Sequence, residues 1–468
     1  MLFPTIQFAV FFVLVLVASW LLMPFPIRWK PFILLASYVF YGAWNWRFVA
    51  LLIAVTVVSQ AGATLLARIP AHRQRERRRM LVITLVFLLG LLGWFKYYGF
   101  FATSLANLLD TMGLGAPLPL LQVVLPVGIS FFTFQAISYV MDVYRGDLEP
   151  ASPIDAAVYL AFFPHLVAGP IVWAREFVPQ LRTPRDPRRV EGARGFTLIA
   201  KGLFKKVVVA NLLATTLVDP VFSTPSAHSA AEIIVAVYGY AVQIYADFSG
   251  YTDMAIGLAL LLGFRFPDNF DRPYTAVSLQ DFWRRWHMTL SRWLRDYLCI
   301  PLGGNAGGPR RTERNLLITM VLGGLWHGAA WTFAIWGAIH GLGLALERRR
   351  FARDKGWSAN PLVARLITFH IVCLAWVFFR AGSLETAWTI LGRALTAWGP
   401  APLVTPVVVL VIMGALAMQF VPRDVGERLQ VAFSRYSPVA QAAALALALM
   451  VTDALGPTGV APFIYFQF

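Results

Sequence analysis

The stretch Asn315–Leu346, NLLITMVLGGLWHGAAWTFAIWGAIHGLGLAL, runs for 32 residues without an Asp, Glu, Lys or Arg. That is longer than the roughly 20 residues needed to span a bilayer core. Met1–Ile27 is equally free of charge. Around these runs the 468-residue chain is 58% apolar and 14% charged, where soluble domains average about 45–50% and about 25%. Such a chain has too little polar surface to coat a water-soluble globule. The composition excludes a soluble enzyme, a DNA-binding module and a disordered scaffold, and predicts an all-α, polytopic integral membrane protein.

Apolar runs suited to spans fall at 5–25, 31–46, 48–67, 80–97, 126–144, 154–172, 196–218, 231–246, 252–264, 315–332, 333–347, 361–379, 403–421 and 437–453. Several are too short to cross alone, so about 11–13 transmembrane helices are expected beside broken, re-entrant and interfacial ones. Pro126, Pro164, Pro170 and Pro179 are expected to interrupt helices, which is tolerated at depth only where protein or a water-filled cavity satisfies the freed backbone. No internal repeat is present, and the chain reads as one membrane-embedded unit.

The net charge of +16 is concentrated rather than spread. Arg68–Arg79, Arg175–Lys206 and Glu347–Lys355 together supply +14 of it, all between apolar spans. Positive-inside bias accounts for such loops and places them in the cytoplasm, leaving no need for a nucleic-acid partner. The apolar N-terminus lacks a basic leader and is too long for a signal-peptide core, so it is expected to be an uncleaved span that starts outside. Two cysteines, Cys299 and Cys373, provide neither a disulfide framework nor a Cys-rich metal site.

Ionisable groups in apolar sequence are functional candidates because of their insertion cost. They are His327 and His340 in the opening stretch, Asp247 and Asp253 in YADFSGYTDM, and His165 after Pro164. No pair of these histidines has the close spacing of zinc ligands, so no metal is expected. Neither a Gly-x-Ser-x-Gly elbow nor a phosphate-binding Gly-rich loop ending in Lys-Ser occurs. One further segment stands apart. Between Asp281 and Tyr297, the residues Trp283, Trp286, Leu290, Trp293, Leu294 and Tyr297 share one helical stripe, and Asp281, Arg284, Arg285, Arg292, Arg295 and Asp296 the other. This predicts a continuous amphipathic helix, either an interfacial anchor or the wall of a cavity. His287 lies on its border. A histidine flanked by tryptophan in either region suits general-base work on a hydroxyl near neutral pH, set against the ordinary reading of a hydrogen-bonded bundle histidine.

Six blocks, in order, resemble the membrane-bound O-acyltransferase family, in its bacterial alginate O-acetyltransferase branch. They are PVGISFFTFQ (126–135), LVAGPI (166–171), the Asp247–Gly257 block, NFDRPY (269–274), the Trp283–Tyr297 block and GLWHGAAW (324–331). They cover a motif-bearing core of about 120–345 within a single acyltransferase domain, 1–468. The resemblance implies a helical fold around a central funnel, with His327 in the position of the family's essential histidine and His287 in a second polar position. Related transferases carry a Phe-x-Tyr-x-x-Phe terminus resembling an acyl relay, matched here by Phe463, Tyr465 and Phe468.

The expected activity is transfer of a short acyl group, most simply acetyl, from a cytoplasmic thioester to hydroxyls of an extracytoplasmic polysaccharide such as alginate. Acetyl-CoA or an acyl-carrier protein would be the donor co-substrate, with no bound cofactor, and a periplasmic partner protein is an alternative acyl acceptor. His327 and His287 would be catalytic, and Tyr465 a relay. Trp326 and Asn269 are candidate oxyanion donors, with Asp247, Asp253, Trp283, Trp286, Arg284 and Arg285 lining the site. The chain would sit in the bacterial inner membrane among its lipids. D-alanyl or acetyl transfer to teichoic acid or peptidoglycan is the alternative within enzymes, and a glycan or lipid flippase the alternative outside them, although a transporter predicts inverted repeats. Cysteines introduced at Ala71 and Thr183 should stay unlabelled by a membrane-impermeant maleimide in intact cells. Labelling of Thr183→Cys from outside would reverse the donor side.

Overall fold

The structure is a computed structural model describing residues 1, 3–115, 121, 123–350 and 357–456. Among these residues the regular structure is helical throughout, as the composition predicts. Five helices are long and apolar enough to cross a membrane: Arg47–Arg68, Gln74–Thr111, Ala230–Leu261, Pro361–Arg380 and Pro438–Leu455. Ile6–Leu22 and Pro406–Met418 are apolar but shorter. The chain forms two compact units, Met1–Val190 with Leu261–Phe266, and Glu191–Leu260 with Pro267–Phe468.

The first unit is organised around Ile129–Arg145, a helix with apolar residues on every side and most of its length buried. A helix of that pattern must be enclosed by others. Its Tyr139 hydroxyl donates to Gln60 Oε1 (2.7 Å) and accepts from Ala151 N (3.0 Å), so that buried hydroxyl is satisfied in both roles. Pro164 opens the short Phe163–Leu166 turn, as a chain break predicts, but Pro179 lies inside the Ala174–Arg182 helix without ending it. That helix is short, and the proline costs it a single backbone hydrogen bond. His165 belongs to this unit and is a core residue: its Nε2 donates to the Tyr159 carbonyl (2.8 Å) among Phe162, Phe177 and Phe266. Arg185 is clamped between the rings of Trp29 (3.8 Å) and Phe264 (4.0 Å). Burial there lowers its guanidinium to about 9.

The second unit begins with Gly192–Leu203, which continues through two π-helical turns, Phe204–Ala210 and Ala214–Val218. Opposite it runs Ala230–Leu261, a single 32-residue helix where the hydropathy predicts two spans. The polar cluster at 247–253 that divides the apolar runs is paired with lysines instead of breaking the helix. The two backbones touch: a Cβ on Gly250 would lie 2.7 Å from the Gly202 carbonyl oxygen. Small residues at such crossings are how helices approach closely in membranes.

Pro309–His327 and Trp331–Arg350 form an antiparallel hairpin turned by Gly328, Ala329 and Ala330. Its zip is again glycine. Gly324 faces the Phe333 carbonyl, Gly337 the Met320 carbonyl, and Gly341 the Leu317 Cα. The open end is tied by the Glu313–Arg349 ion pair (Nε to Oε1 2.6 Å).

The segment 281–297 departs from expectation. It is not one helix but two short ones, Leu279–Trp283 and Met288–Leu294, separated by a bend in which His287 takes a left-handed φ of 42°. The predicted stripe is nonetheless the buried one, with Trp283, Trp286, Leu290, Trp293, Leu294 and Tyr297 all inside. Periodicity reports the buried side, whereas the bend comes from a tertiary hydrogen bond that periodicity does not encode.

Gly337→Val should lower the melting temperature of the detergent-solubilised protein, since an added side chain meets the Met320 carbonyl and overpacking costs about 1–3 kcal/mol or more. Gly392→Ala, at an exposed position of the Leu384–Thr396 helix with no atom within 4 Å of the new Cβ, should leave it unchanged or raise it slightly. Equal melting of Gly337→Val and wild type would show that the hairpin is not closely zipped.

Candidate active site

The site lies within the second unit and is built outward from Asn269. This buried side chain places its Oδ1 where it accepts from Thr289 N (3.1 Å) and Thr289 Oγ1 (2.9 Å). Its backbone carbonyl accepts from Met288 N (2.9 Å). Together these bonds fix the start of the Met288–Leu294 helix and hold His287 in its left-handed conformation. A non-glycine residue there costs of order 1–3 kcal/mol and persists only when its surroundings over-determine it.

The same oxygen assigns the His287 proton. Because a backbone N–H donates to it, Oδ1 is the acceptor, and His287 Nδ1, 3.1 Å away, must carry the hydrogen. The neutral ring then presents a bare lone pair on Nε2, which is buried and has no hydrogen-bond partner among the described residues. The edge of Phe248, 4.6 Å away between centroids, fixes the ring plane.

His327 ends the first arm of the hairpin and is buried. Trp326, Trp336 and Phe379 surround it at 5.0, 5.1 and 5.2 Å between centroids. Its ring centroid lies 6.5 Å from that of His287. A hydroxyl oxygen bonded to an imidazole nitrogen sits about 4 Å from the ring centroid, so this separation is short enough for one sugar to contact both imidazoles. The structure thus brings together the two histidines that are 40 residues apart in sequence.

Other predicted residues divide. Trp326 is at the site, its ring 6.1 Å from His287. Asn269 is present as the residue that orients His287; its own Nδ2 faces Thr252 Oγ1 (3.5 Å), so it is not placed as an oxyanion donor. Trp283 donates to His340 Nδ1 (3.3 Å), and Trp286 packs on Phe270 and Trp376. Arg285 is bonded to Asp281 (2.7 Å) and lies 3.6 Å from Asp271, while Arg284 is exposed. Asp247 and Asp253 are held by lysines of the neighbouring helix: Asp247 by Lys206 (2.6 Å), Asp253 by Lys205 (2.7 Å) and Lys201 (3.3 Å). Phe463, Tyr465 and Phe468 lie outside the described residues. Sequence reasoning missed Thr289, Trp336 and Phe379. Of these only Trp336 carried a signal, one helical turn before His340 and on the same face.

Residues 80–380 match the family model of MBOAT, the membrane-bound O-acyltransferase family. The chain is 45% identical over 363 residues to a probable alginate O-acetylase of Pseudomonas aeruginosa, covering 76% of this chain and 68% of that protein. It is 38% identical over 397 residues to a peptidoglycan O-acetyltransferase of Helicobacter pylori, covering 78% and 73%. A teichoic acid D-alanyltransferase of Bacillus subtilis is 26% identical over 271 residues, covering 54% and 68%.

The Lys206–Asp247 pair, each side chain 3% exposed, sets the expected behaviour of Asp247. Asp247→Ala strands a buried ammonium and should cost about 3–5 kcal/mol, whereas the double replacement Lys206→Met with Asp247→Leu should recover most of it. Melting of the purified variants measures this. Transfer activity in the double variant is expected to persist; its complete loss in a well-folded protein would return Asp247 to the site.

Proposed function

Because this chain belongs to the membrane-bound O-acyltransferase family, we propose that it moves an acetyl group from a cytoplasmic thioester to hydroxyls of an extracytoplasmic, alginate-type polysaccharide in the bacterial inner membrane. Acetyl-CoA and acetylated carrier protein are the donors with the required chemistry: both are charged and cannot cross, so only the acyl end has to reach the far side. The basic loop Arg68–Arg79 would concentrate such an acidic donor at the cytoplasmic face, whereas Lys201, Lys205 and Lys206 of the Arg175–Lys206 segment are neutralised by Asp253 and Asp247. The acceptor follows from similarity to probable alginate O-acetylases of Pseudomonas aeruginosa and Azotobacter vinelandii at 45% and 44% identity. Peptidoglycan is the second acceptor to test, given the 38% identity to the Helicobacter pylori enzyme.

The observation that carries the chemistry is the pair of buried imidazoles 6.5 Å apart, close enough to contact one acceptor sugar. In this reading His327 removes the proton of the accepting hydroxyl as its oxygen attacks the thioester carbonyl carbon. A C–O bond forms, the carbonyl pair moves onto oxygen, and collapse of the tetrahedral intermediate breaks the C–S bond. The departing thiolate takes up the proton that His327 received. His287, with Nδ1–H committed to Asn269, has only the acceptor Nε2 to offer, so it aligns the sugar through a neighbouring hydroxyl and leaves the single proton of the attacking hydroxyl to His327. Apolar walls from Trp326, Trp336 and Phe379 exclude water that would otherwise hydrolyse the donor.

His327→Ala should reduce polymer O-acetylation by about 10²–10⁴-fold, with membrane expression and melting close to wild type. His287→Ala should act in the same direction but less severely. Acetyl content of polymer from cells carrying each variant in place of the wild type measures both. Retention of more than about a tenth of the activity by His327→Ala rules out the general-base role.

A further inference from the structure

His340 is the third buried imidazole of the second unit, and its hydrogen-bonding logic is the reverse of His287. The Trp283 indole nitrogen can only donate. It lies 3.3 Å from His340 Nδ1, which must therefore be the bare nitrogen, leaving the single proton on Nε2. Phe282, parallel to the ring within 6° at 6.0 Å, and Trp283, edge-on at 5.1 Å, leave the imidazole little freedom to turn. The resulting Nε2–H is fully buried and has no acceptor among the described residues. Trp336 repeats the pattern: it is buried, and its indole N–H has no acceptor among them either. Its ring stands between the two histidines, 4.9 Å from His340 and 5.1 Å from His327.

Two neutral N–H donors, buried in an aromatic wall beside the reacting imidazole, are a site that lacks an acceptor. Buried polar groups in native proteins are otherwise paired, and those left over mark a ligand or a water. The matching ligand is neutral and carries carbonyl oxygens in series. A pantetheine thioester has that form: its acyl carbonyl and its first amide carbonyl are separated by a chain of about five bonds, roughly 6 Å when extended. The step from Trp336 to His340 is 4.9 Å between rings, and the acyl end would lie toward His327. His340 also lies on the correct side. It sits between His327 and Glu347, whose carboxylate accepts from the Leu279 and Gln280 amides where this helix approaches its run of arginines.

We propose that His340 and Trp336 form a binding site for the pantetheine arm of the acyl donor, Trp336 Nε1–H donating to the acyl carbonyl and His340 Nε2–H to the first amide carbonyl. Trp283 is the positioning residue that sets the His340 tautomer. This rests on the donor-thioester reading above and names the part of the donor that is recognised. The arm is common to coenzyme A and to carrier protein, so the site accepts either.

The test uses the full-length protein in inside-out membrane vesicles with polymannuronate enclosed as acceptor and the thioester added outside. S-acetyl-N-acetylcysteamine, which keeps both carbonyls, should be used at least tenfold more efficiently by kcat/KM than S-propyl thioacetate, which has no amide. His340→Phe should erase that preference, acting on KM far more than on kcat, whereas His340→Gln, which retains an N–H donor, should restore it. Trp283→Phe should weaken the preference in the wild type and change nothing further in His340→Phe. Equal use of the two thioesters by wild type, or an undiminished preference in His340→Phe, overturns the proposal. So does His340→Gln behaving as His340→Phe at equal melting temperature. Parallel reactions with acetyl-CoA and with acetylated carrier protein identify the source, whichever shows the same His340→Phe loss. Wild-type vesicles that consume no thioester of any kind would instead overturn the donor reading itself.

Discussion

The Asn269 side-chain oxygen accepts from a backbone amide, a threonine hydroxyl and an imidazole at once, and the site takes its form from that single atom. It stops the Leu279–Trp283 helix from running on into Met288–Leu294 and holds His287 in a conformation that side chains avoid. It also decides which nitrogen of that ring is bare. In water the bonds would be exchangeable with solvent and worth little net. In a dry interior each unmet partner is costly, and so the arrangement is single-valued.

The hairpin supplies the second half by opposite means. Asn269 works through polar bonds, whereas Gly324, Gly337 and Gly341 work by having nothing to put between two helices. Their absence of bulk brings Trp331–Arg350 against Pro309–His327, and Trp336 thereby stands beside His327. Aromatic rings then fill the space on the remaining sides. The two imidazoles are held on separate scaffolds, one polar and one steric.

These two devices differ in how well they show in the sequence. The membrane class, the places of most helices and the candidacy of His287 and His327 were legible, since a charge-free run and an ionisable residue inside it are local facts. The buried stripe from Trp283 to Tyr297 was legible for the same reason. The bend at His287 was not, because it depends on Asn269, eighteen residues away. Nor was the continuity of Ala230–Leu261, because Asp247 and Asp253 look like a break until Lys206 and Lys205 are seen to neutralise them. The tautomers of His287 and His340 are the least local property of all: each is dictated by the donor or acceptor character of a residue on another segment.

The π-helical turn at Phe204–Ala210 gives this region an unusual sensitivity. A π turn accommodates one residue more than the α-helix around it. Here it carries the adjacent Lys205 and Lys206, both of which meet carboxylates on Ala230–Leu261. Length, rather than composition, is therefore what the segment preserves. Loss of one residue would regularise the helix and rotate everything on one side of it, separating a buried ion pair without altering either of its members. Divergent sequences of this fold should accordingly tolerate exchange of the apolar residues between 204 and 210 far better than a change in their number.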